Sequence, residues 1–184
     1  VLLDMGLGGG LCYLTDEHYV LGRVGKYLLH DAMSRVNLDF TQHVCYQPLA
    51  HLLDAIRQGS PAGLQEFGPW QTLYPHLNEL PEPARRSWFA FDHFYSDWAF
   101  QQAQDKVFGY APRHLYDLGG NTGKWAIACA KRDPALRVTI LDLPEQLALA
   151  RLNIEEAGLA ERVQGHPVDL LQPGPLPGEA DIWW

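Results

Sequence analysis

One short stretch of the chain combines an acid with glycines at a spacing that suits ligand binding. Asp117 lies two residues before Gly119, and Gly123 follows directly before a helical pattern. Glycines have no Cβ and tolerate positive φ, so a ligand can approach the main chain closely there. The first N–H groups of the next helix lack intrahelical partners and can bind a polar ligand. The stretch therefore predicts a binding loop between a strand and a helix.

The glycine spacing excludes two common nucleotide-binding loops. The dinucleotide pattern G-x-G-x-x-G fails because Asn121 and Lys124 occupy the second and third glycine positions. The P-loop pattern needs a longer loop than this one before its lysine. What remains is acid-x-Gly-x-x-x-Gly, with an asparagine inside it that tolerates positive φ.

This pattern resembles the first motif of class I S-adenosylmethionine-dependent methyltransferases. It is most similar to the small-molecule O-methyltransferases that carry an N-terminal winged-helix dimerisation domain, a family that usually has glycine where this chain has Asn121. Leu141-Asp-Leu-Pro144 resembles the family's second motif. Gly165-His-Pro-Val-Asp-Leu170 resembles the segment whose acid contacts the adenine amino group. The motifs occur in order, and the resemblance covers nearly the whole chain.

The resemblance implies S-adenosyl-L-methionine as the cofactor. Asp142 would accept hydrogen bonds from both ribose hydroxyls, as acids do at the same strand end of dinucleotide sites. Asp169 would contact the adenine amino group. The residues expected to bind the cofactor are Asp117, Gly119, Gly120, Asn121, Gly123, Asp142, Leu143, Asp169 and Leu170.

Each of these acids also has a structural interpretation. Asp117 could cap the adjacent turn or helix, and Asp142 could be the N-cap of the helix that begins near Pro144. Asp169 could be an ordinary loop acid. Lys124, in the first turn of its helix, is more typical of a solvated side chain than of a catalytic one.

Upstream of the loop, aromatic residues mark one side of a long predicted helix over residues 83–108, either straight or kinked. They are Trp88, Phe91, Tyr95 and Trp98, at helical spacing. Asp92 projects about 40° from Trp88, inside this stripe, and a buried carboxylate needs a partner. Arg85 or Arg86 could pair with it on a solvated flank. Alternatively, a substrate pocket would be lined by Asp92, His93, Tyr95 and Ser96.

The elements around the loop alternate between strand and helix. Strands are predicted at 114–118, 136–141, near 163–165 and from 182, with helices at 124–131 and 145–157 between them. Such alternation indicates a parallel sheet that binds ligands beyond the carboxyl ends of its strands. We therefore predict an incomplete α/β Rossmann-like methyltransferase domain over 109–184, with about four strands.

Residues 1–108 are predicted to form a winged-helix and mostly α-helical region for dimerisation and substrate binding. A hairpin of residues 11–14 and 18–21 would be the wing, followed by a short helix around 24–29. Leu49, Leu52, Leu53 and Ile56 mark one face of a helix that begins near Pro48 and ends at Gly59. The family resemblance implies a homodimer formed through this region.

The composition of the chain excludes several classes of binding partner. The chain has 184 residues and a formal net charge of −8, which argues against binding nucleic acid or an acidic membrane surface. No apolar run approaches the roughly 20 residues of a membrane helix. Three scattered cysteines are typical of free thiols, not of a metal site, so we expect a cytoplasmic protein without a metal.

These features predict S-adenosylmethionine-dependent methyl transfer to a hydroxyl group of a small-molecule acceptor, with aromatic molecules as one candidate class. A hydroxyl acceptor gains from a general base. In the resembled family the base is a histidine after the fourth strand, which would follow Trp184, and none of the eight histidines present matches it. Two alternatives are an inactive methyltransferase-like subunit and a winged-helix DNA-binding regulator that senses a small molecule.

We read the sequence as an internal piece of a longer protein, because it opens and closes inside predicted elements. Residues 1–184 alone are therefore expected to show no methyl transfer. Turnover by the purified segment, measured with radiolabelled S-adenosylmethionine, would contradict this expectation.

Overall fold

The chain divides into two compact units in a computed structural model that describes residues 1–184. One unit contains residues 1–73 and 79–94, and the other contains residues 74–78 and 95–184. The sequence places the boundary later, after residue 108. The difference arises because helix α6 (Phe100–Phe108) contributes Phe100 and Val107 to the core of the second unit.

The second unit is built on a four-stranded parallel sheet. Its elements in chain order are β3 (His114–Leu118), α7 (Lys124–Arg132), β4 (Arg137–Asp142), α8 (Pro144–Glu156), β5 (Val163–Pro167) and β6 (Ile182–Trp183). The strand order is β5-β4-β3-β6, and every neighbouring pair is parallel. The predicted Rossmann-like sheet of four strands is confirmed.

One face of this sheet packs against α7 and α8. Leu115, Val138 and Ile140 alternate inward from the two central strands and are essentially fully buried. The facing side of α7 carries small residues, which let the helix lie close to the sheet: Ala126, Cys129 and Ala130. This packing fixes where β3 ends and α7 begins, and therefore fixes both ends of the glycine loop.

The first unit begins with helix α1 (Leu2–Gly8) and the hairpin of β1 (Cys12–Thr15) and β2 (His18–Leu21). The predicted hairpin is confirmed. Thr15 pairs with His18, so the turn contains only Asp16 and Glu17, both at positive φ. Positive φ at both positions matches the twist that a two-residue hairpin requires. The assignment of this hairpin as the wing of a winged helix stays a prediction.

Helical segments make up the rest of the first unit. They are α2 (Arg23–His30), α3 (Ala32–Phe40), a π-helical turn (Thr41–Cys45), a 3₁₀ turn (Pro48–His51), α4 (Leu52–Gln58), a 3₁₀ turn (Ala62–Glu66) and α5 (Glu82–Ser96). The predicted helix that ends at Gly59 is present, with Gly59 in the left-handed conformation. Its expected apolar face lies on the surface of the structure.

The predicted long helix over 83–108 is present as two helices. A 3₁₀ turn at Asp97–Ala99 lies between α5 and α6 along the chain. Within the first unit, Phe91 stacks on Phe40 of α3 with ring centroids 4.1 Å apart, and Trp88 lies 5.7 Å from the same ring. Half of the aromatic stripe, Trp88 and Phe91, thus packs within the first unit and is half-buried. None of the helices in this chain is long and apolar enough to cross a membrane.

Candidate cofactor loop

Every second residue of the loop between β3 and α7, from Gly119 to Gly123, has a left-handed backbone conformation. Gly119 has φ of 67°, Asn121 of 51° and Gly123 of 77°. Side chains with a Cβ rarely adopt this conformation, and asparagine is among the residues that do so most readily. Asn121 thus has the positive φ that the sequence analysis expected it to tolerate.

Main-chain hydrogen bonds hold the loop in this shape. The N–H of Gly119 donates to the carbonyl of Leu141 on the neighbouring strand at 2.8 Å, and the N–H of Gly123 donates to Gly120 at 2.8 Å. On the other side, the Asn153 amide of α8 donates to the Thr122 carbonyl at 2.8 Å. The last contact was not expected from the sequence, because Asn153 is far along the chain and belongs to no recognised motif.

Asp142 joins the loop to the start of α8. One of its carboxylate oxygens accepts the N–H of Asn121 at 2.7 Å, and the other accepts the N–H of Leu143 at 2.7 Å. A carboxylate has about four lone-pair sites, so two are left for a ligand. The carboxylate is half-buried at the carboxyl end of β4. Asp142 therefore supports the backbone and still has the capacity to bind hydroxyl groups.

Asp117 lies beneath the loop and not at its open surface. Its side chain is only 3% exposed, and its Oδ2 atom has no hydrogen-bond partner. Burial raises the pKa of Asp117 to about 7, and the negative charge of Asp142 adds to that rise, while the N–H of Ala126 acts against it. The bond from α7 supports the capping interpretation, and a direct ligand contact stays a prediction.

Two glycines show that the loop is closely packed on the side of the sheet and open on the other side. A Cβ on Gly120 would lie 2.5 Å from Asp117 Oδ2 and 2.7 Å from Ile140 Cγ2. A Cβ on Gly119 would meet nothing within 4 Å. The loop thus rests directly on buried groups while Gly119 faces open space, an arrangement that leaves main-chain atoms accessible to a ligand.

The other expected cofactor residues follow β4 and β5. Leu143 is half-buried directly after Asp142, whereas Asp169 and Leu170 are exposed. Asp169 accepts the N–H of Leu171 at 2.9 Å, which makes it part of a local turn. The structure places these residues beyond the carboxyl ends of their strands, as the Rossmann-like fold requires for ligand binding.

The proposed substrate residues do not form one cluster within a single unit. Asp92 and His93 are half-buried in the first unit, and the His93 ring lies 6.4 Å from that of Phe89. Tyr95 and Ser96 belong to the second unit, where Ser96 donates to Asp97 at 3.2 Å. Their role as a substrate pocket stays a prediction.

The structure also shows two pairs beside the loop that sequence reasoning missed. Lys124, expected to be solvated, forms an ion pair with Asp97 at 2.7 Å. Trp125 stacks on Trp184 with centroids 4.6 Å apart and planes 26° apart. Helical position could have indicated that Trp125 faces inward, but its partner on another element could not be read from local pattern.

A separate apolar groove of about 510 Å³ runs between α8 and β5. Leu147, Ile154 and Val163 contribute to its walls. None of the residues expected to bind the cofactor lines it. Its position along the outer edge of the sheet separates it from the glycine loop.

Comparison with known proteins shows what this chain is similar to. Residues 103–184 match the O-methyltransferase domain family. The chain is 28% identical over 174 residues to an L-tyrosine C(3)-methyltransferase of Streptomyces lavendulae, covering 92% of this chain and 47% of the relative. It is 34% identical over 169 residues to aclacinomycin 10-hydroxylase RdmB of Streptomyces purpurascens, covering 87% and 42%.

A solved structure agrees with these relatives. The S-adenosylmethionine-dependent methyltransferase SibL is 31% identical, with a TM-score of 0.60 over 99% of this chain and 54% of SibL. The predicted resemblance to S-adenosylmethionine-dependent methyltransferases is confirmed. The chain spans about half the length of the curated relatives it matches.

Gly120→Ala should destabilise the second unit. The added Cβ must displace either the Asp117 carboxylate or Ile140, and overpacking of this kind typically costs about 1–3 kcal/mol. Urea unfolding followed by circular dichroism measures the loss. Gly178→Ala is the matched control, since its Cβ would meet nothing within 4 Å. Equal stability of both variants would contradict the packing described for the loop.

Asp117 should make stability depend on pH. Its pKa is raised from an ordinary 3.8 to about 7, so the folded state holds a proton that the unfolded state releases between these values. The free energy of unfolding should therefore fall as pH rises from about 4 to about 7 and then level off. Asp117→Asn removes this titration and should flatten the curve. Urea unfolding midpoints measured across that pH range test this prediction, with the exposed Glu161→Gln variant as control. Parallel curves of midpoint against pH for the wild type and both variants would refute it.

Proposed function

We propose that this chain is part of an S-adenosylmethionine-dependent methyltransferase acting on a small aromatic molecule, most simply at a hydroxyl group. The match of residues 103–184 to the O-methyltransferase domain supports the reaction class. The relative named for L-tyrosine supports an aromatic acceptor. The observation that carries the proposal is the bond from Asn121 to Asp142, because it brings the hydroxyl-binding acid to the edge of the open loop.

In this proposal the loop binds one part of the cofactor, and residues at the strand ends bind the other parts. The main chain around Gly119 lies against the methionine end, where a side chain would block the approach. Asp142 uses its remaining lone pairs for the ribose hydroxyls. Leu143 and Leu170 offer apolar contacts to adenine, and Asp169 accepts from its amino group.

The cofactor supplies a methyl group that is already activated by a positive sulfur. The protein therefore has to hold the acceptor in line with that methyl, and orientation accounts for much of the rate. Hydrogen bonds to the Leu141 and Thr122 carbonyls hold the loop in a shape that suits this task. We assign no general base within residues 1–184.

A second reaction has specific support. The relative with 34% identity is named a hydroxylase, so the shared fold is compatible with adding oxygen to a substrate, an oxidation that would require dioxygen and a reductant as co-reactants. Mass spectrometry of products made by the full-length protein separates the two reactions. A gain of CH₂ with deuterium from labelled S-adenosylmethionine supports methyl transfer, whereas a gain of one oxygen atom refutes it.

We also propose that the protein is a cytoplasmic enzyme. In this enzyme the first unit would form the contact between two identical subunits. In the structure, four apolar residues on one side of the Pro48–Gln58 helical segment are more than half exposed: Leu49, Leu52, Leu53 and Ile56. Large exposed apolar patches are typical of protein interfaces. A second copy could cover such a face by two-fold symmetry, in which each subunit contributes the same patch.

The dimer proposal predicts that Leu53→Asp combined with Ile56→Asp yields a monomer. Both side chains are exposed in the single chain, so the fold should be retained while the apolar contact is lost. Light scattering coupled to size-exclusion chromatography gives the mass. Leu171→Asp, exposed in the second unit, should leave the dimer intact. A wild-type protein that is already monomeric would overturn the proposal.

Asp142→Ala should abolish most of the cofactor affinity. The change removes the proposed ribose acceptor and the partner of the Asn121 N–H, and bonds to charged groups contribute about 1.5–3 kcal/mol each. The dissociation constant of S-adenosylmethionine should rise by a factor of about 10–100. Calorimetric titration measures it, and thermal melting reports any loss of fold. Glu156→Ala at the exposed end of α8 should bind normally; unchanged binding by the Asp142 variant would count against the proposed site.

A further inference from the structure

Asn153 lies in the second half of helix α8, on the side that meets the glycine loop. Its side-chain amide donates to the Thr122 carbonyl at 2.8 Å. Asn153 is half-buried, and Thr122 is only 5% exposed. Asparagine is a poor helix former, because its side chain competes for backbone hydrogen bonds. The bond to the loop therefore compensates for a residue that α8 alone would disfavour.

This bond fixes the orientation of one peptide plane in the loop. The peptide between Thr122 and Gly123 is planar, so its carbonyl and its N–H turn together. The carbonyl accepts from Asn153, and the N–H donates to the Gly120 carbonyl at 2.8 Å. Glycine itself sets little preference for the φ of 77° that follows this plane. The plane is therefore held by its two hydrogen bonds and cannot rotate without breaking one of them.

Close packing brings α8 against the same plane. A Cβ on Gly123 would lie 3.4 Å from the Ala150 Cβ and 3.3 Å from the Ile140 Cδ1. Ala150 is 1% exposed and precedes Asn153 by three positions, so both residues lie on one face of the helix. The small side chain of Ala150 thus lets α8 approach the loop closely enough for the Asn153 amide to reach it.

A continuous series of hydrogen bonds runs through the loop and ends at Asn153. The Asp142 carboxylate accepts the N–H of Asn121 at 2.7 Å. The carbonyl of the same peptide, that of Gly120, accepts the N–H of Gly123, whose own peptide carbonyl accepts from Asn153. Asn153 is therefore at the opposite end of this series from the acid proposed to bind ribose.

We propose that Asn153 is a positioning residue for the cofactor, which holds the glycine loop in the shape that binds the amino-acid end of S-adenosylmethionine. This inference rests on the proposed function, in which the loop and Asp142 bind different parts of the cofactor. Asn153 acts on the part bound by the loop, whereas the adenosine part depends on Asp142 and the strand ends. The role comes from a helix that contributes no residue of its own to the cofactor motifs.

The test compares two ligands that differ at the amino-acid end. S-adenosylhomocysteine carries this end, whereas 5′-methylthioadenosine keeps the adenosine and the sulfur and lacks it. Asn153→Ala, which removes the donor and leaves a good helix former in α8, should weaken S-adenosylhomocysteine by about three- to tenfold, the usual effect of one neutral hydrogen bond. The affinity for 5′-methylthioadenosine should stay within about twofold of wild type. Calorimetric titration of the full-length protein measures both, and thermal melting confirms that each variant is folded.

Two further variants separate positioning from a general effect on α8. Asn153→Asp matches the shape of the side chain but has no N–H to donate, so it should show the same selective loss. Asn78→Ala is the matched control, because the Asn78 amide donates to the Glu145 carbonyl in the first turn of the same helix at 3.1 Å. This control should leave the ratio of the two affinities unchanged.

Three outcomes would overturn the positioning role while leaving the proposed function intact. They are equal weakening of both ligands by Asn153→Ala, unchanged binding of both ligands by that variant, and a changed ratio in Asn78→Ala. If the wild-type protein bound neither ligand, the proposed function itself would be refuted.

Discussion

The hydrogen bonds of the Asp142 carboxylate are the constraint on which the candidate site depends. One oxygen holds the N–H of Asn121 in the loop, and the other holds the N–H of Leu143 at the start of α8. A residue at positive φ needs such support when it is not glycine, because its Cβ makes the conformation costly. The same acid that is proposed to bind ribose thus also keeps the loop in its open shape.

A second carboxylate works against this arrangement. Asp117 is buried under the loop, and the charge of Asp142 contributes to raising its pKa. Two nearby negative groups destabilise each other's ionised forms, so burial and the charge of Asp142 together favour the protonated form of Asp117 beneath the loop.

The small residues of α7 explain how the loop is held against the sheet. Ala126, Cys129 and Ala130 allow close packing on the sheet, so the helix start is fixed relative to β3. Gly120 lies directly on Asp117 and Ile140, with no room for a side chain. The rigidity of the site thus originates in the core and extends outward to Gly119, the one loop glycine whose Cβ direction is open.

The sequence by itself determined the parallel sheet, the glycine loop and the acid that ends β4, because these depend on local periodicity and on spacing within short segments. It also indicated the hairpin and the helix ending at Gly59, where turn and capping residues are sufficient. It gave no prediction for α3, although Asp31 caps that helix through the Ser34 N–H and could have signalled it.

Only the tertiary structure decided which side chains meet. Trp125 stacks on Trp184, and Lys124 pairs with Asp97, although the partners are distant along the chain. Asp117 is buried because of the direction in which its side chain faces. Such contacts are set by the packing of whole elements. A local pattern can place a residue on a helix or strand, but its partner is chosen by the fold.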